Sequence, residues 1–432
     1  MPFSQLHGLY NDLKKSGALG QWLRLFSSMI FSQAVTLLFY PLITRLYAPA
    51  EMGLLSLFVS LVTVIASVAC ARYENAIIVP AEDEDAFTLA HLSFVILLGV
   101  SVLIFVLTLV AGHSIALWLK AGNLRPWFPF IALSVFFTGV YQIVTALNVR
   151  FKYFSSNAGY NLHQSTVNTG LKILAGYLRQ GTGGLVVATL VSQVTSGLSL
   201  MLGFVKKQPR ILALRSYASL HRIACQFISF PAYQVIHTLT NTLSGQLPLL
   251  LLTTFFGAEK TGLYALAFGL SFRPIQVIAG ATSQILSQRM ASRISHGISV
   301  KQEFFSALQM LTFLGSIPFL LAGALARWLF PLVFGQEWTE AGIYFQYLLP
   351  WLFMVFLSSP FAFIPAVFMK QRKALMIEIT YCVARILAMA TGVLLHNIYV
   401  ALALFSATGV FFLGYALYWY KQLIVNFDTR RQ

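Results

Sequence analysis

The stretch GLYALAFGLSFRPIQVIAGATSQILSQ, from Gly262 to Gln288, is apolar and long enough to cross a bilayer, yet it carries Arg273 and Pro274 near its middle. At about 1.5 Å of helical rise per residue, Arg273 lies about 16 Å from the start of the stretch, near the centre of a hydrocarbon layer about 30 Å thick. A guanidinium stays charged there, at a cost of roughly 2.5–3.5 kcal/mol. We therefore expect Arg273 to face water or an anion; the alternative is a contact with backbone carbonyls that Pro274 frees.

The whole chain shares the apolar character of this stretch. It has 432 residues, 58% of them hydrophobic and 10% charged, and its mean hydropathy is +0.75. These values exclude a soluble domain and indicate an all-α, polytopic membrane protein. The apolar runs predict about twelve transmembrane helices, at 25–46, 53–79, 87–111, 127–149, 156–178, 185–205, 224–254, 262–287, 303–326, 341–368, 374–395 and 398–420.

Most basic residues fall on one side of the predicted spans. The formal net charge of +16 would suggest a nucleic-acid partner in a soluble protein, but in a membrane protein it is mainly a topology signal. With residue 1 in the cytoplasm, the cytoplasmic segments hold 19 of the 29 Lys and Arg residues and the external segments hold six. This bias, with an even number of spans, places both termini in the cytoplasm, and we expect no nucleic-acid partner.

The first half of the chain is echoed in the second. Residues that repeat at an offset of 209 or 210 are Thr44, Gly53, Leu54, Leu57, Ala116, Trp118 and Leu119 with Thr253, Gly262, Leu263, Leu266, Ala326, Trp328 and Leu329. An offset close to half the chain length indicates two bundles of six spans with a cavity between them.

The limits of these parts follow from the apolar and charged runs. We expect an interfacial N-terminal helix at 1–21, two six-helix bundles at 22–205 and 223–421, and a cytoplasmic tail at 422–432. The basic cytoplasmic segment 206–222 is expected to serve both as a linker and as an amphipathic helix on anionic membrane lipid.

Motifs of enzymes and of nucleotide binding are absent from the sequence. It contains no GxxxxGK[ST] phosphate loop, no HExxH and no CxxC. The cysteines Cys70, Cys225 and Cys382 lie far apart and show neither a metal-binding spacing nor a disulfide framework. We therefore expect no enzymatic activity, no cofactor and no metal, and a transport process driven by an ion gradient, the substrate gradient or the membrane potential.

The charges predicted within the membrane are almost all positive. The candidate cavity cations are Arg273, Arg385, Lys172, Arg72 and Arg24. Acids are nearly missing at the same depth, with Glu74 and Glu378 close to cytoplasmic boundaries. This balance suits an anionic cargo, because arginine can hold phosphate oxygens with two parallel hydrogen bonds.

Some of these cations have simpler alternatives. Arg72 and Glu74 are close enough in sequence to form only a boundary ion pair, and Lys172 is able to extend its amine outward to the membrane surface. Arg385 is able to pair with Glu378, two helical turns earlier.

Span 156–178 is unusually polar for a membrane helix. Asn157, Asn161, Gln164 and Asn168 form one stripe at helical spacing. Such a stripe either joins neighbouring helices by hydrogen bonds or contacts sugar hydroxyls, and the sequence leaves both readings open.

Four segments are typical of one family of membrane proteins. They are PLITRLYAPAEMGLLSLF at 41–58, RYENAIIVP at 72–80, GLYALAF at 262–268 and VFGQEWTEAGIYFQYLLPWLF at 333–353. Through them the chain resembles, over nearly its whole length, the polysaccharide-export branch, the O-antigen flippases, of the multidrug/oligosaccharidyl-lipid/polysaccharide exporter superfamily. In similar sequences the residue before the proline of the eighth span is often uncharged, so Arg273 departs from their pattern.

The resemblance implies a fold and a function. The fold would be about twelve helices in two bundles around a V-shaped central cavity that opens alternately to either side. The function would be a flippase that moves undecaprenyl-diphosphate-linked oligosaccharide repeat units across the bacterial inner membrane for O-antigen, capsule or exopolysaccharide assembly. Cationic residues such as Arg273 and Arg385 would then meet the diphosphate and sugars, while the lipid tail stays in the bilayer.

Other functions fit parts of the pattern. A lipid II flippase would need the same positive charges within the membrane, although a chain of fourteen spans would fit it better. A cation-coupled multidrug exporter would need a carboxylate at mid-membrane, and a glycan polymerase or ligase would normally need a large external loop. The expected partners are the lipid-linked oligosaccharide, membrane lipid, coupling protons or sodium ions, a polysaccharide polymerase and a chain-length regulator.

Overall fold

The computed structural model of the protein describes residues 18–213, 215–296 and 298–429. Within these residues it is built of helices and contains no strand. The α-helices are α1 (Ala18–Leu46), α2 (Pro49–Ala66), α3 (Asp83–Trp118), α4 (Pro129–Arg150), α5 (Phe154–Tyr177), α6 (Gly181–Lys207), α7 (Tyr217–Gln226), α8 (Val235–Phe256), α9 (Ala258–Ser295), α10 (Lys301–Phe334), α11 (Thr339–Ser358), α12 (Ile364–Val367), α13 (Gln371–Leu394) and α14 (Ile398–Thr429).

The predicted spans have counterparts in the structure. Twelve of the described helices contain 18 residues or more, and each of them overlaps one predicted span. Nine helical segments in the described residues are also apolar enough to cross a membrane. The chain is therefore a multi-pass, all-α membrane protein. The long helices outside these nine are α1, α5 and α8, and polar side chains such as Asn161 in α5 and Asn241 in α8 account for the lower hydropathy of the latter two.

Three predicted spans differ from the helices that the structure shows. In the span at 341–368, α11 ends at Ser358, and a 3₁₀ turn and the short helix α12 follow. The span at 53–79 was predicted too long, because α2 ends at Ala66 and the chain then turns through Ala71 and Arg72, whose φ angles of 50° and 62° are left-handed. A 3₁₀ helix, Tyr73–Ile78, follows this turn. The span at 224–254 begins with the end of the short helix α7 and a π-helical turn before α8 starts. Continuous apolar sequence does not reveal such turns, since most residues around them are as apolar as those of a span.

The chain divides into two compact units. Unit 1 contains the described residues of Met1–Tyr47 and of Leu57–Thr242, and unit 2 contains Ala48–Ser56 and the described residues of Leu243–Gln432. The division falls inside α8, and the first residues of α2 belong to unit 2. It does not coincide with the linker at 206–222, so the bundle limits 22–205 and 223–421 stay a prediction.

The predicted terminal segments are only partly described. The interfacial helix expected at 1–21 lies outside the described residues except for its last four positions, which belong to α1. Most of the tail expected at 422–432 is helical, since α14 continues to Thr429. Its last three residues lie outside the described part of the chain.

Within unit 2, the first turns of α2 and α9 cross in direct backbone contact. A Cβ atom added to Gly53 would lie 1.8 Å from the carbonyl oxygen of Ala258, and one added to Gly262 would lie 1.8 Å from the carbonyl oxygen of Pro49. Only glycine leaves room for this approach. The offset of 209 relates Gly53 to Gly262 and Pro49 to Ala258, so each contact is the counterpart of the other and the crossing is symmetric with respect to the internal repeat.

Within unit 1, the acidic start of α3 binds three arginines. The ion pairs are Arg150–Asp83 at 2.9 Å, Arg215–Glu84 at 2.5 Å and Arg222–Asp85 at 2.7 Å. Arg215 and Arg222 both lie in the predicted basic linker 206–222, and Arg222 also belongs to the helix α7. The linker is therefore attached to unit 1 by charge, in addition to any contact with anionic lipid.

Candidate functional site

Arg273 lies in the middle of α9, about 22 Å from its first residue at 1.5 Å per residue. The helix continues through Pro274. The Arg273 side chain is exposed, and it makes no hydrogen bond, ion pair or ring contact with the residues that the structure describes. The alternative contact with carbonyls freed by Pro274 is thus not formed. All five N–H donors of this guanidinium remain available to an anion.

Arg385, near the middle of α13, has the opposite environment. Its side chain is only 7% exposed. Its Nη2 donates to the hydroxyl of Tyr381 at 2.5 Å, and its Nη1 lies 3.5 Å from Oγ of Ser244. Its Nε is buried and has no partner among the described residues, and the alternative ion pair with Glu378 is not formed.

Three aromatic rings surround the Arg385 guanidinium. Its central carbon lies 4.0 Å from the ring centroid of Tyr381, 4.7 Å from that of Phe405 and 5.0 Å from that of Trp351. These distances are within the roughly 6 Å over which a ring face attracts a cation. The rings take the place that a carboxylate would have beside a buried arginine.

A row of stacked rings leads from this aromatic cage to α9. Trp351 stacks on Phe268 with centroids 5.8 Å apart, and Phe268 stacks on Phe272 at 4.6 Å. Phe272 immediately precedes Arg273 in the sequence. The enclosed and the exposed arginine therefore lie at the two ends of one packed aromatic row in unit 2.

The remaining candidate cations have other surroundings. Nη1 of Arg72 lies 3.2 Å from Oε1 of Glu74, whose side chain is only 4% exposed, so these two residues form the boundary ion pair. Burial nevertheless raises the pKa of the Glu74 carboxyl above its usual value, and the weaker effect of Arg72 opposes this rise. Lys172 is half-buried near the end of α5 that is predicted to be external, and its carbonyl accepts a hydrogen bond from Tyr47. Arg24 belongs to α1, but its side chain lies outside the described part of the structure.

The residues of the polar stripe of α5 have different environments. Asn157 is buried and accepts a hydrogen bond from Nδ2 of Asn148 at 2.8 Å, so it joins α5 to α4. Asn161 and Asn168 are half-buried, and the carbonyl oxygen of Asn168 has no partner among the described residues. Gln164 instead lines a cavity.

This cavity, in unit 1, has a volume of about 330 Å³ and is lined by residues of α2, α4, α5 and α6 among others. Besides Gln164, its polar lining includes Gln142, Gln193, Tyr141 and Tyr160. The sequence prediction did not identify these four residues. The polar positions Ser134, Thr138, Tyr141 and Gln142 recur at helical spacing along α4, and this pattern could have indicated a second polar stripe.

Carboxylates are placed very differently from the two central arginines. In the described residues, every Asp or Glu of the long helices lies within about two turns of a helix end, Glu378 being the deepest. One such group at a helix start, Glu340, accepts hydrogen bonds from Lys260 at 2.5 Å, Tyr344 at 3.0 Å and Tyr399 at 2.8 Å. The charge at mid-helix depth is therefore positive.

Comparison with known families supports the resemblance seen in the sequence. Residues 42–342, more than half of the chain, match the family described as "Polysaccharide biosynthesis protein". No curated protein matches the sequence.

Several solved structures share the fold. The lipid II flippase MurJ in an inward closed conformation has a TM-score of 0.68 at 11% identity, over 95% of this chain and 90% of that chain. An inward-facing multidrug resistance MATE family transporter of the MOP superfamily has a TM-score of 0.61 at 15% identity, over 95% and 96%. A variant of the Vibrio cholerae MATE transporter VcmN has a TM-score of 0.54 at 17% identity, over 95% and 97%.

Identities this low establish a common fold and leave the cargo open. The family match covers the segments that carry the resemblance in the first half of the chain and most of those in the second. The chain therefore belongs to the family of polysaccharide biosynthesis proteins and has the fold of the multidrug/oligosaccharidyl-lipid/polysaccharide (MOP) exporter superfamily.

Proposed function

We propose that this protein is a flippase that moves undecaprenyl-diphosphate-linked oligosaccharide repeat units across the bacterial inner membrane by alternating access, for O-antigen, capsule or exopolysaccharide assembly. The observation that carries the proposal is Arg273, whose exposed guanidinium lies at the middle of an apolar helix and has no partner among the described residues. The family description supports a glycan cargo. The fold, which flippases and exporters share, supports transport rather than catalysis.

The chemistry of a diphosphate matches this arginine. The planar fork of a guanidinium donates two parallel hydrogen bonds to phosphate oxygens, and the low dielectric of the membrane strengthens the attraction. Arg385 adds a second positive charge in the same unit, and its enclosure keeps that charge from being neutralised by a carboxylate. In this conformation we assign direct contact with the diphosphate to Arg273 and a longer-range attraction to Arg385.

Two alternative cargoes are less well supported. A multidrug exporter for organic cations would need negative charge at mid-membrane, whereas the described carboxylates lie near helix ends. Lipid II carries a diphosphate too, so the arginines do not exclude it, but the family description favours a polysaccharide precursor. Protons or sodium ions are the driving ions that we propose, and a polysaccharide polymerase and a chain-length regulator are the proposed protein partners.

A complementation experiment tests the proposal. A strain lacking this chain should accumulate lipid-linked repeat units on the cytoplasmic face of its inner membrane, and the wild-type chain should relieve the accumulation. Arg273→Ala should reduce this relief at least tenfold, since a charge-assisted hydrogen bond contributes about 1.5–3 kcal/mol and each 1.4 kcal/mol corresponds to about a factor of ten. Arg273→Lys should retain an intermediate activity.

The matched control is Arg327→Ala, which removes an exposed arginine without a described partner near the end of α10. This variant should complement like the wild type. Accumulation of lipid II in place of repeat units would assign the chain to the peptidoglycan pathway. Full complementation by Arg273→Ala would refute the role of this arginine while leaving the transport function in place.

A further inference from the structure

The cavity in unit 1 has a lining without charge. Its lining residues include no Lys, Arg, His, Asp or Glu. A phosphate would find no counter-charge there, and an organic cation would find no carboxylate. The chemistry of the occupant must therefore differ from that of the diphosphate that we assign to Arg273.

The lining is nevertheless rich in hydrogen-bonding groups. The amide side chains Gln142, Gln164 and Gln193 and the hydroxyl side chains Thr63 and Thr138 are among its lining residues. Each amide can donate and accept, and each hydroxyl can do the same. A wall of this kind suits a ligand that carries many hydroxyl groups, whereas an acyl chain would leave the polar groups unsatisfied.

Part of this hydrogen-bonding capacity is unused. The carbonyl oxygen of Gln142 is buried and has no donor among the described residues, and Gln164 makes no hydrogen bond with them. By contrast, Gln193 accepts from Ser134 at 2.5 Å and is held in place. A buried polar group without a partner costs about 1–3 kcal/mol, and Gln142 would recover this cost by turning its amide towards a ligand hydroxyl.

Aromatic rings form another part of the wall. Tyr141 and Tyr160 stack on each other with centroids 4.2 Å apart and ring planes within 20°. The stacked pair is a rigid apolar surface with polar hydroxyl ends. The apolar face of a sugar ring packs well on such a surface, while its hydroxyls reach the neighbouring amides.

The size and the position of the cavity agree with a sugar ligand. A volume of about 330 Å³ is at the small end of ligand pockets, which span about 300–1,000 Å³. It fits one or two sugar rings and excludes a long chain. The lining extends from Ser67, which follows the end of α2 on the side predicted to be cytoplasmic, where the cargo would enter, to Ser134 near the predicted external start of α4.

We infer that this cavity is a glycan subsite, which binds one or two neutral sugar residues of the cargo through Gln142, Gln164 and the Tyr141–Tyr160 pair. The inference rests on the proposed function, because it places the sugars in unit 1 and leaves the diphosphate to Arg273 in unit 2. It also assigns Gln164 of the polar stripe to ligand binding, and Asn157 to helix packing.

Saturation-transfer NMR with sugars that carry no lipid tests the subsite. The purified full-length protein in lipid nanodiscs, without glycoside detergent, would be mixed with a panel of methyl glycosides of glucose, galactose, mannose, rhamnose and N-acetylglucosamine. At least one sugar should receive saturation from the protein. The double variant Gln142→Leu/Gln164→Leu should lower this signal about tenfold, as expected for a loss of about 1.4 kcal/mol.

Controls separate the subsite from general effects on the protein. Neither glutamine bonds to a described residue, so the double variant should fold, and Gln164→Leu alone serves as a second test. Gln302→Leu, an exposed glutamine on α10, should keep the full signal. Absence of a signal from every sugar, or an equal signal from the double variant, would overturn the inference.

A second measurement distinguishes this inference from the proposed function. Native mass spectrometry would record binding of undecaprenyl diphosphate without sugar to the wild type, the double glutamine variant and Arg273→Ala. We expect only Arg273→Ala to lose this lipid. Lipid binding without any sugar signal would refute the subsite alone, and a sugar signal without lipid binding would refute the diphosphate role alone.

Discussion

Arg385 shows how much a single residue depends on packing that the sequence does not display. Its depth in the membrane was predicted from its place in the apolar run, and Tyr381, one turn earlier, could be anticipated. Trp351 and Phe405 come from α11 and α14, and only the tertiary fold brings them to the guanidinium. The result is a cation enclosed by rings, whereas the sequence had suggested either an open cavity or a pair with Glu378.

The energetics of this enclosure lead to a prediction for Arg385→Met. Burying a charge costs several kcal/mol, and each ring face returns only about 0.5–2 kcal/mol. A methionine of similar length removes the charge and keeps most of the packing. We expect the melting temperature of the purified protein to stay unchanged or rise, while relief of repeat-unit accumulation falls about tenfold because the second positive charge is lost.

Arg385→Lys is the companion variant for this test. It keeps the charge but not the planar group that the three rings contact, so transport should fall less than in Arg385→Met. A marked drop in melting temperature of Arg385→Met, combined with normal transport, would show that Arg385 serves only the stability of unit 2.

The apolar runs predict well that each long helix exists and where it approximately lies, but they predict the helix ends less well. Each long described helix overlaps a predicted span, because burial in lipid requires about twenty apolar residues in sequence. The left-handed turn at Ala71 and Arg72 and the π-helical turn before α8 depend on local backbone geometry, which hydropathy does not report. The acidic cluster at the start of α3 does not enter the orientation prediction, which counts only Lys and Arg, yet its Asp85 binds Arg222 of α7.

The crossing of α2 and α9 gives a prediction for Gly262→Ala. The added methyl group would lie 1.8 Å from a backbone oxygen of α2, so the helices must separate. Overpacking of this kind typically costs about 1–3 kcal/mol, and backbone cannot move aside as easily as a side chain. Thermal unfolding of the purified protein should therefore occur at a clearly lower temperature than in the wild type.

Gly269→Ala on the same helix is the control for this crossing. A Cβ atom there would meet nothing within 4 Å, and alanine favours the helix by about 1 kcal/mol over glycine. This variant should melt at or slightly above the wild-type temperature. If Gly262→Ala were as stable as Gly269→Ala, the close contact of the two helices would not exist in the membrane.

For the whole molecule, the repeat inferred from a few residues agrees with their environments. Trp118 and its counterpart Trp328 are 73% and 72% exposed, while Leu57 and Leu266 are fully buried. Leu119 and Leu329 differ, since only Leu119 is buried. The repeat therefore reflects equivalent positions in the fold, with local divergence. What the sequence did not supply is the cavity in unit 1, whose polar residues come from several helices and are spread over five predicted spans.

The ion pairs agree with the predicted assignment of the helix ends to the two sides of the membrane. In the described residues, Arg150, Arg215 and Arg222 bind acids on the side predicted to be cytoplasmic, as does Arg293 with Glu303. The pair Lys260–Glu340 joins two helix starts that are both predicted to be external. None of these pairs joins a helix end predicted to be cytoplasmic to one predicted to be external. This is the result expected if successive spans cross the membrane in opposite directions. Which side faces the cytoplasm still rests on the charge bias of the sequence.

The three cysteines provide a direct test of that orientation. Cys225, on α7, is exposed, whereas Cys70 and Cys382 are buried, and burial also raises the pKa of the Cys70 thiol so that little reactive thiolate forms. A membrane-impermeant maleimide should therefore label the wild-type protein at Cys225 alone. We expect labelling in inverted inner-membrane vesicles and little in intact spheroplasts, because α7 begins in the segment predicted to be cytoplasmic and Cys225 lies at the predicted cytoplasmic start of the span 224–254. Cys225→Ser should abolish the signal in both preparations, which excludes labelling of the buried thiols. Strong labelling of the wild type in spheroplasts would reverse the predicted orientation, and cargo would then have to be loaded from the opposite leaflet.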